Sequence, residues 1–163
     1  MLAENYKIVP IFQDGNLTTT ITGDSIDMRE YHSATYIFTF GTLTTAASVL
    51  TINSGATNAA ISSPLYFNYA FGGAAIGTAT AGSATSCDVL AAWTNANTLS
   101  ITNGTYDNFM LVVELEATVM DIANGEYFLT PRFTDPGTAE GTVDCIAILQ
   151  PRYKENRIAT CLA

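Results

Sequence analysis

The sequence predicts an all-β chain, a two-sheet antiparallel sandwich of the jelly-roll or Greek-key type. Three observations carry that prediction. Apolar and polar residues alternate with period two in one segment after another. Turn signals recur about every ten positions between those segments. Helical periodicity of useful length is absent, which leaves out the layered α/β classes.

Residues 34–40 place Ala34, Tyr36, Phe38 and Phe40 on one face and Thr35, Ile37 and Thr39 on the other, with Gly41 closing the run. The aromatic face is the expected core face. Residues 48–52 read as the next strand, and residues 42–47 between them are short enough for a hairpin connection. Residues 65–71 gather Leu65, Phe67, Tyr69 and Phe71 on one face, a surface one sheet would bury, before Gly72-Gly73 ends the run. Residues 74–86 are rich in Gly, Thr, Ala and Ser and lack bulky anchors, so they read as a long surface loop.

Residues 98–102 alternate again, and Asn103-Gly104 supplies the positive φ of a tight turn before a long strand over 108–118, so those two strands are expected to pair. In the long strand Phe109, Leu111, Val113, Leu115 and Ala117 share one face, and Met110, Val112, Glu114 and Glu116 the other. Residues 119–123 read as one helical turn, stopped by Asn124-Gly125. Residues 126–133 and 142–149 are the last strands, expected as a closing hairpin around Asp135-Pro136-Gly137.

The 163 residues fit one domain over 1–163, with an extended N-terminal segment over about 1–12 and a short basic tail over about 152–163. Fifteen acidic side chains against six basic ones give a net charge of −9 and a pI near 4.2. That balance weighs against nucleic acid and anionic membranes, both of which are gripped by clustered Lys and Arg. From Tyr31 to Cys87 there is no Asp, Glu, Lys or Arg. Because that stretch is hydroxyl-rich rather than greasy, its exposed face is either a solvated Thr/Ser surface or one covered by other subunits. The start, MLAENYKIVPIF, has no basic segment followed by a long apolar core, so neither a secretory leader nor a membrane span is expected. Arg152, Lys154 and Arg157 put three of the six basic residues into the tail, which reads either as a solvated end or as a dock for an acidic partner or a neighbouring copy.

No constellation in the chain calls for catalysis, a metal or a cofactor. Cys87, Cys145 and Cys161 are widely spaced with no CxxC, which fits neither zinc nor a disulfide framework; Cys87 and Cys145 are expected as small buried side chains. His32 stands alone without a motif and reads as a surface or structural residue. Glu114 and Glu116 lie about 7 Å apart on one strand face, a spacing open to a glycosidase acid and base but routine for a solvated strand. Asp24, Asp27 and Glu30 lack the ligand pattern of a calcium loop and read as turn residues. Asn16-Leu17-Thr18 and Asn103-Gly104-Thr105 match a glycosylation pattern that carries no weight without a secretory signal. Trp93, Tyr106 and Tyr127 are candidates for a sugar-stacking platform, or for ordinary packing.

The runs YHSATYIFTFG at 31–41, YDNFMLVVEL at 106–115 and CIAILQPRY at 145–153 resemble, in overall layout, the small capsid decoration (cement) proteins of tailed bacteriophages. The resemblance implies a structural protein without enzymatic activity. It implies a homo-oligomer, dimer or trimer, made in the host cytoplasm and bound to the major capsid protein on the outside of the virion shell, where it clamps neighbouring capsomers. Under that reading the expected interface is Leu2, Tyr6, Ile8, Ile11 and Phe12, with Arg152, Tyr153, Lys154 and Arg157 from the tail. Pro10, with no N–H to donate, suits an edge strand or arm in that segment. The alternatives are a tail or fibre subunit, or a carbohydrate-binding sandwich.

Overall fold

Alternation of the kind described above produces strands throughout the chain. The computed structural model describes residues 2–44, 47–77, 86–134, 141–153 and 160–162. A short helix α1 (Leu2–Asn5) leads into β1 (Lys7–Asn16), β2 (Ile21–Thr22), β3 (Ile26–Asp27), β4 (Tyr31–Phe40), β5 (Ser48–Gly55), β6 (Ser63–Pro64) and β7 (Phe67–Phe71). There follow β8 (Thr94–Ala96), β9 (Leu99–Ile101), β10 (Met110–Glu116), two 3-10 turns (Ala117–Val119 and Ile122–Asn124), β11 (Phe128–Thr134) and β12 (Thr142–Pro151). The expected helical turn near residue 120 is present as those 3-10 turns, and Gly125 ends the second at φ 75°.

Two six-stranded sheets face each other. Sheet A runs β1-β12-β4-β10-β7-β8; sheet B runs β2-β11-β5-β6, with β3 also on β11 and β9 also on β5. Every pairing among the described residues is antiparallel. Following the chain through β1, β2 and β3, β4, β5, β9, β10, β11 and β12, each step changes sheet except β5 to β9. The last strand lies between the first and the fourth. This is the winding of a jelly roll, with β6, β7 and β8 inserted between β5 and β9.

That winding corrects three expectations about pairing. β4 and β5 are in different sheets, so residues 42–47 do not close a hairpin. β9 pairs with β5, not with β10, although Gly104 does take the left-handed conformation at φ 66°. β11 and β12 also lie in different sheets. The reason is common to all three. Facing sheets are about 10 Å apart, a gap a few residues can span, so a short loop with a turn signal serves a crossing as well as a hairpin. The expected surface loop over 74–86 and the turn at 135–137 lie partly or wholly outside the described residues.

Strand faces follow the sequence closely. Ala34, Tyr36, Phe38 and Phe40 of β4 are buried, as are Leu111, Val113 and Leu115 of β10. Small residues sit where large ones need room: Ala147 lies opposite Tyr36 and Cys145 opposite Phe38. From sheet B, Phe133 meets the edges or faces of three rings, Phe38 at 5.5 Å and 86°, Phe40 at 6.1 Å and 87°, and Phe12 at 6.4 Å and 83°. Two buried polar pairs lie in and beside sheet B, whereas Ser48 Oγ is buried without a hydrogen-bond partner. Ser25 and Thr130 share a 2.6 Å hydrogen bond, and the Glu126 carboxylate accepts from the Ser54 hydroxyl.

Cys145 is buried as expected, but Cys87 is half-exposed, because it lies in the turn segment before β8 rather than on an inward strand face. Cys161 is buried beside Tyr31, and Leu162 bridges to Ile26, so the end of the segment read as a tail returns to sheet B. Burial raises the thiol pKa of both Cys145 and Cys161.

Replacing Phe133 by Ala should lower stability by about 3–5 kcal/mol, measured as a shift in the urea midpoint at constant slope. Ellman's reagent at neutral pH should react promptly with one thiol of the native protein. Cys87→Ser should remove that reaction, and prompt labelling of a second thiol would contradict the burial of Cys145 and Cys161.

Candidate functional site

The pleat that sends Tyr36 and Phe38 inward sends Thr35 and Ile37 to the opposite, solvent side of sheet A. Register then lines outward residues up across the strands. One row runs Pro10, Ile146, Ile37, Val112, Ala70 across β1, β12, β4, β10 and β7, and is apolar throughout. The neighbouring row runs Ile8, Ile148, Thr35, Glu114, Asn68, Asn95 and turns polar as it crosses from β4 to β8. A third brings Gln150, Ser33 and Glu116 together. The outer face therefore turns from apolar to polar toward the Gln150 end of β12, and on its other side the apolar row is bounded by Asp144, Thr39 and Met110.

Over the polar rows lies an open concavity of about 490 Å³. Its floor carries Asn68, Asn95, Glu114 and Glu116, and Tyr6 and Tyr66 stand at its two sides. Several of these groups are held in place by their neighbours. Asn95 donates through Nδ2 to Asn68 Oδ1 at 2.9 Å and to the Phe67 carbonyl at 3.3 Å. Ser33 donates to Gln150 Oε1 at 3.3 Å, and Thr118 to Glu116 Oε2 at 3.2 Å.

The residues expected at an interface are distributed unevenly. Tyr6 and Ile8 are exposed, 38% and 44%, on or beside this outer face. Ile11 is in the core at 4%, and Phe12 is half-buried against Phe38 and Phe133. An irregularity in register between Pro10 and Phe12 breaks the alternation and turns two successive side chains inward. Pro10 does lie on an edge strand. Leu2 belongs to α1. Arg152 donates from its backbone to Glu30 O at 2.8 Å and from Nε to Tyr31 O at 3.3 Å, and Tyr153 beside it is exposed. Because β1 and β12 are antiparallel neighbours, Arg152 and Tyr153 fall at the same end of sheet A as Tyr6. Lys154 and Arg157 lie outside the described residues.

The other candidates separate. Glu114 and Glu116 are exposed on the outer face of β10, as their alternation indicates. His32 is exposed on β4. Trp93 is exposed before β8, Tyr106 stacks on Phe71 at 3.9 Å and 8°, and Tyr127 lies 5.9 Å from the Arg29 guanidinium, so the three rings do not share one platform. Asp27 is not a solvated turn carboxylate: Arg29 Nε donates to its two oxygens at 2.9 and 3.0 Å. That hydrogen bonding lowers the Asp27 pKa against an opposing push from burial. Tyr66, Asn68, Asn95 and Gln150 were not singled out by their sequence; the one local signal is a polar Asn68 between Phe67 and Tyr69 on an otherwise aromatic strand.

No family model matches the sequence, and no curated protein matches it. Among solved structures the chain is similar to the SPBc2 prophage-derived protein YomS, with a TM-score of 0.50 and 9% identity over 89% of this chain and 92% of that one. At that identity the likeness is one of fold.

Asp27 has a depressed carboxyl pKa, so its stabilising effect is present above the ordinary carboxylate value of 3.8 and is lost as the pH falls through the folded value. Arg29 is exposed, so solvent screening keeps the pair weak. Asp27→Asn should therefore lower the melting temperature slightly at pH 7, with the difference shrinking below about pH 4. A difference that grows on acidification would contradict the pairing.

Proposed function

We propose that this chain is a structural component of a phage particle, binding the outside of the assembled capsid and clamping neighbouring capsomers. The observation that carries the reading is the apolar row on the solvent side of sheet A, with Ile146 42% exposed and Ile8 beside it in the next row at 44%. The row is exposed at Pro10 and Ile146 and buried at Val112 and Ala70, and an exposed apolar edge on so acidic a chain is a surface suited to contact with protein. The uncharged stretch from Tyr31 to Cys87 supplies β4 and β7 of the same sheet, so no charge on those strands opposes a close approach. The fold shared with a prophage-derived protein is in keeping with this reading.

The partner is the major capsid protein, and the chain acts as a homo-oligomer without catalysis. Tyr6, Ile8, Pro10 and Ile146 form the contact, with Arg152 and Tyr153 flanking it at the end of β12. Each copy contributes a modest contact, and linked copies raise the effective affinity through avidity.

Co-sedimentation with shells assembled from the major capsid protein encoded alongside this chain tests the reading. Wild-type protein should pellet with shells and not associate with unassembled subunits. Burying one isoleucine is worth about 1.5–3 kcal/mol, so Ile8→Glu and Ile146→Glu should each weaken shell binding by roughly tenfold or more while leaving the fold intact. Wild-type protein that fails to bind shells overturns the function; variants that bind as well as wild type overturn the assigned surface.

A further inference from the structure

We infer that the concavity on the polar half of the outer face of sheet A is a binding cleft for a neutral oligosaccharide. The inference rests on the cleft alone and stands or falls separately from the capsid reading.

The chemistry of the lining selects the ligand. Among the described residues no basic side chain lines the concavity, while Glu114 and Glu116 place two carboxylates on its floor. Phosphate, sulfate and uronic acid groups are therefore repelled. The other polar lining is amide and hydroxyl, from Asn68, Asn95, Gln150, Ser33 and Thr35, with Val119 as an exposed apolar neighbour. Carboxylates accept hydrogen bonds only, whereas amides both donate and accept. A polyhydroxylated ligand, whose every hydroxyl does both, is matched by that mixture. An apolar anchor from a protein partner is not, because such anchors require a desolvated apolar pocket.

The walls supply the second half of the recognition. Tyr66 is 62% exposed and Tyr6 38%, so each borders the cleft with ring surface that the core does not use. Four strand steps separate β1 from the edge of β7, or about 19 Å at the usual strand spacing. That span suits several linked sugar rings rather than one. The volume of about 490 Å³ lies in the ordinary range of ligand sites.

Preorganisation points the same way. The Asn95 amide is fixed by two hydrogen bonds, to Asn68 and to the Phe67 carbonyl, and Ser33 orients the Gln150 amide. Polar groups held by their neighbours lose less freedom when a ligand arrives. All of them sit on strands rather than on mobile loops, which keeps their spacing constant.

The test uses the whole protein labelled with ¹⁵N and titrated with cellotetraose, maltotetraose, chitotetraose and mannotetraose at millimolar concentration, with tetragalacturonate as the acidic comparison. At least one neutral tetrasaccharide should move the side-chain amide signals of Asn68, Asn95 and Gln150, and tetragalacturonate should leave them in place. Tyr66→Ala should weaken that binding by about tenfold with an unchanged melting temperature. Tyr66 is the diagnostic residue because Tyr6 is also part of the proposed capsid contact. Three results would overturn the inference: no response to any neutral sugar, a response to tetragalacturonate alone, or the same signals moving with protein concentration in the absence of sugar. The last would make the cleft an interface between copies of this chain. Loss of shell binding in Ile8→Glu or Ile146→Glu bears on the capsid reading only.

Discussion

The two sheets are held face to face by the meeting of Phe133 with Phe38 and Phe40, edge to face in both cases. Aromatic rings prefer this arrangement because the positive edge of one meets the negative face of the other. The contact also sets the phase of β4, since a strand offers one face or the other and a slip by one residue exchanges them. With Phe38 inward, Ile37 and Thr39 must face solvent; with Tyr36 inward, so must Thr35. The neighbours comply by size, Cys145 and Ala147 taking the small places opposite the two rings. The rows on the outer face of sheet A are thus a consequence of what fills the inside.

How much of this is legible in the sequence depends on which kind of information each feature needs. The inward face of β4 and that of β10 can be read residue by residue, because burial imposes period two directly on the chain. Strand partners cannot, since Gly104 adopts the turn conformation its sequence implies and still delivers the chain to the other sheet. Ile11 and Phe12 show a second limit. An irregularity in β1 turns both inward, and nothing in KIVPIF marks where the alternation fails. The cleft is the least legible element. Tyr6, Tyr66, Asn95 and Gln150 are far apart in the chain and become neighbours only through the order β1-β12-β4-β10-β7-β8.

The grading of the outer face gives one sheet two kinds of surface. Its apolar row crosses β12, β4 and β10 at Ile146, Ile37 and Val112, and its polar rows cross the same strands at Glu114, Thr35 and Gln150. Both derive from the same pleat, so the two surfaces are held at a fixed spacing of a few residues' rise. A partner seated on one leaves the other at its border, where Ile8 and Ile148 stand.

The position of β12 has a consequence for how the molecule is made. Among the described residues β1 has one neighbour in sheet A, and that neighbour is the last strand of the fold; the Asp14 backbone N–H donates to Asp144 Oδ1, 130 residues further along. At ordinary rates of translation the interval is on the order of ten seconds. Through that interval β1 is synthesised but unpaired, and β4 has an open edge where β12 will insert. Closure of sheet A is therefore a late, long-range event, the kind that slows folding. Until it happens the nascent chain presents two strand edges able to capture one another or another copy, and Pro10, which offers no N–H, limits such premature pairing together with the register irregularities of β1.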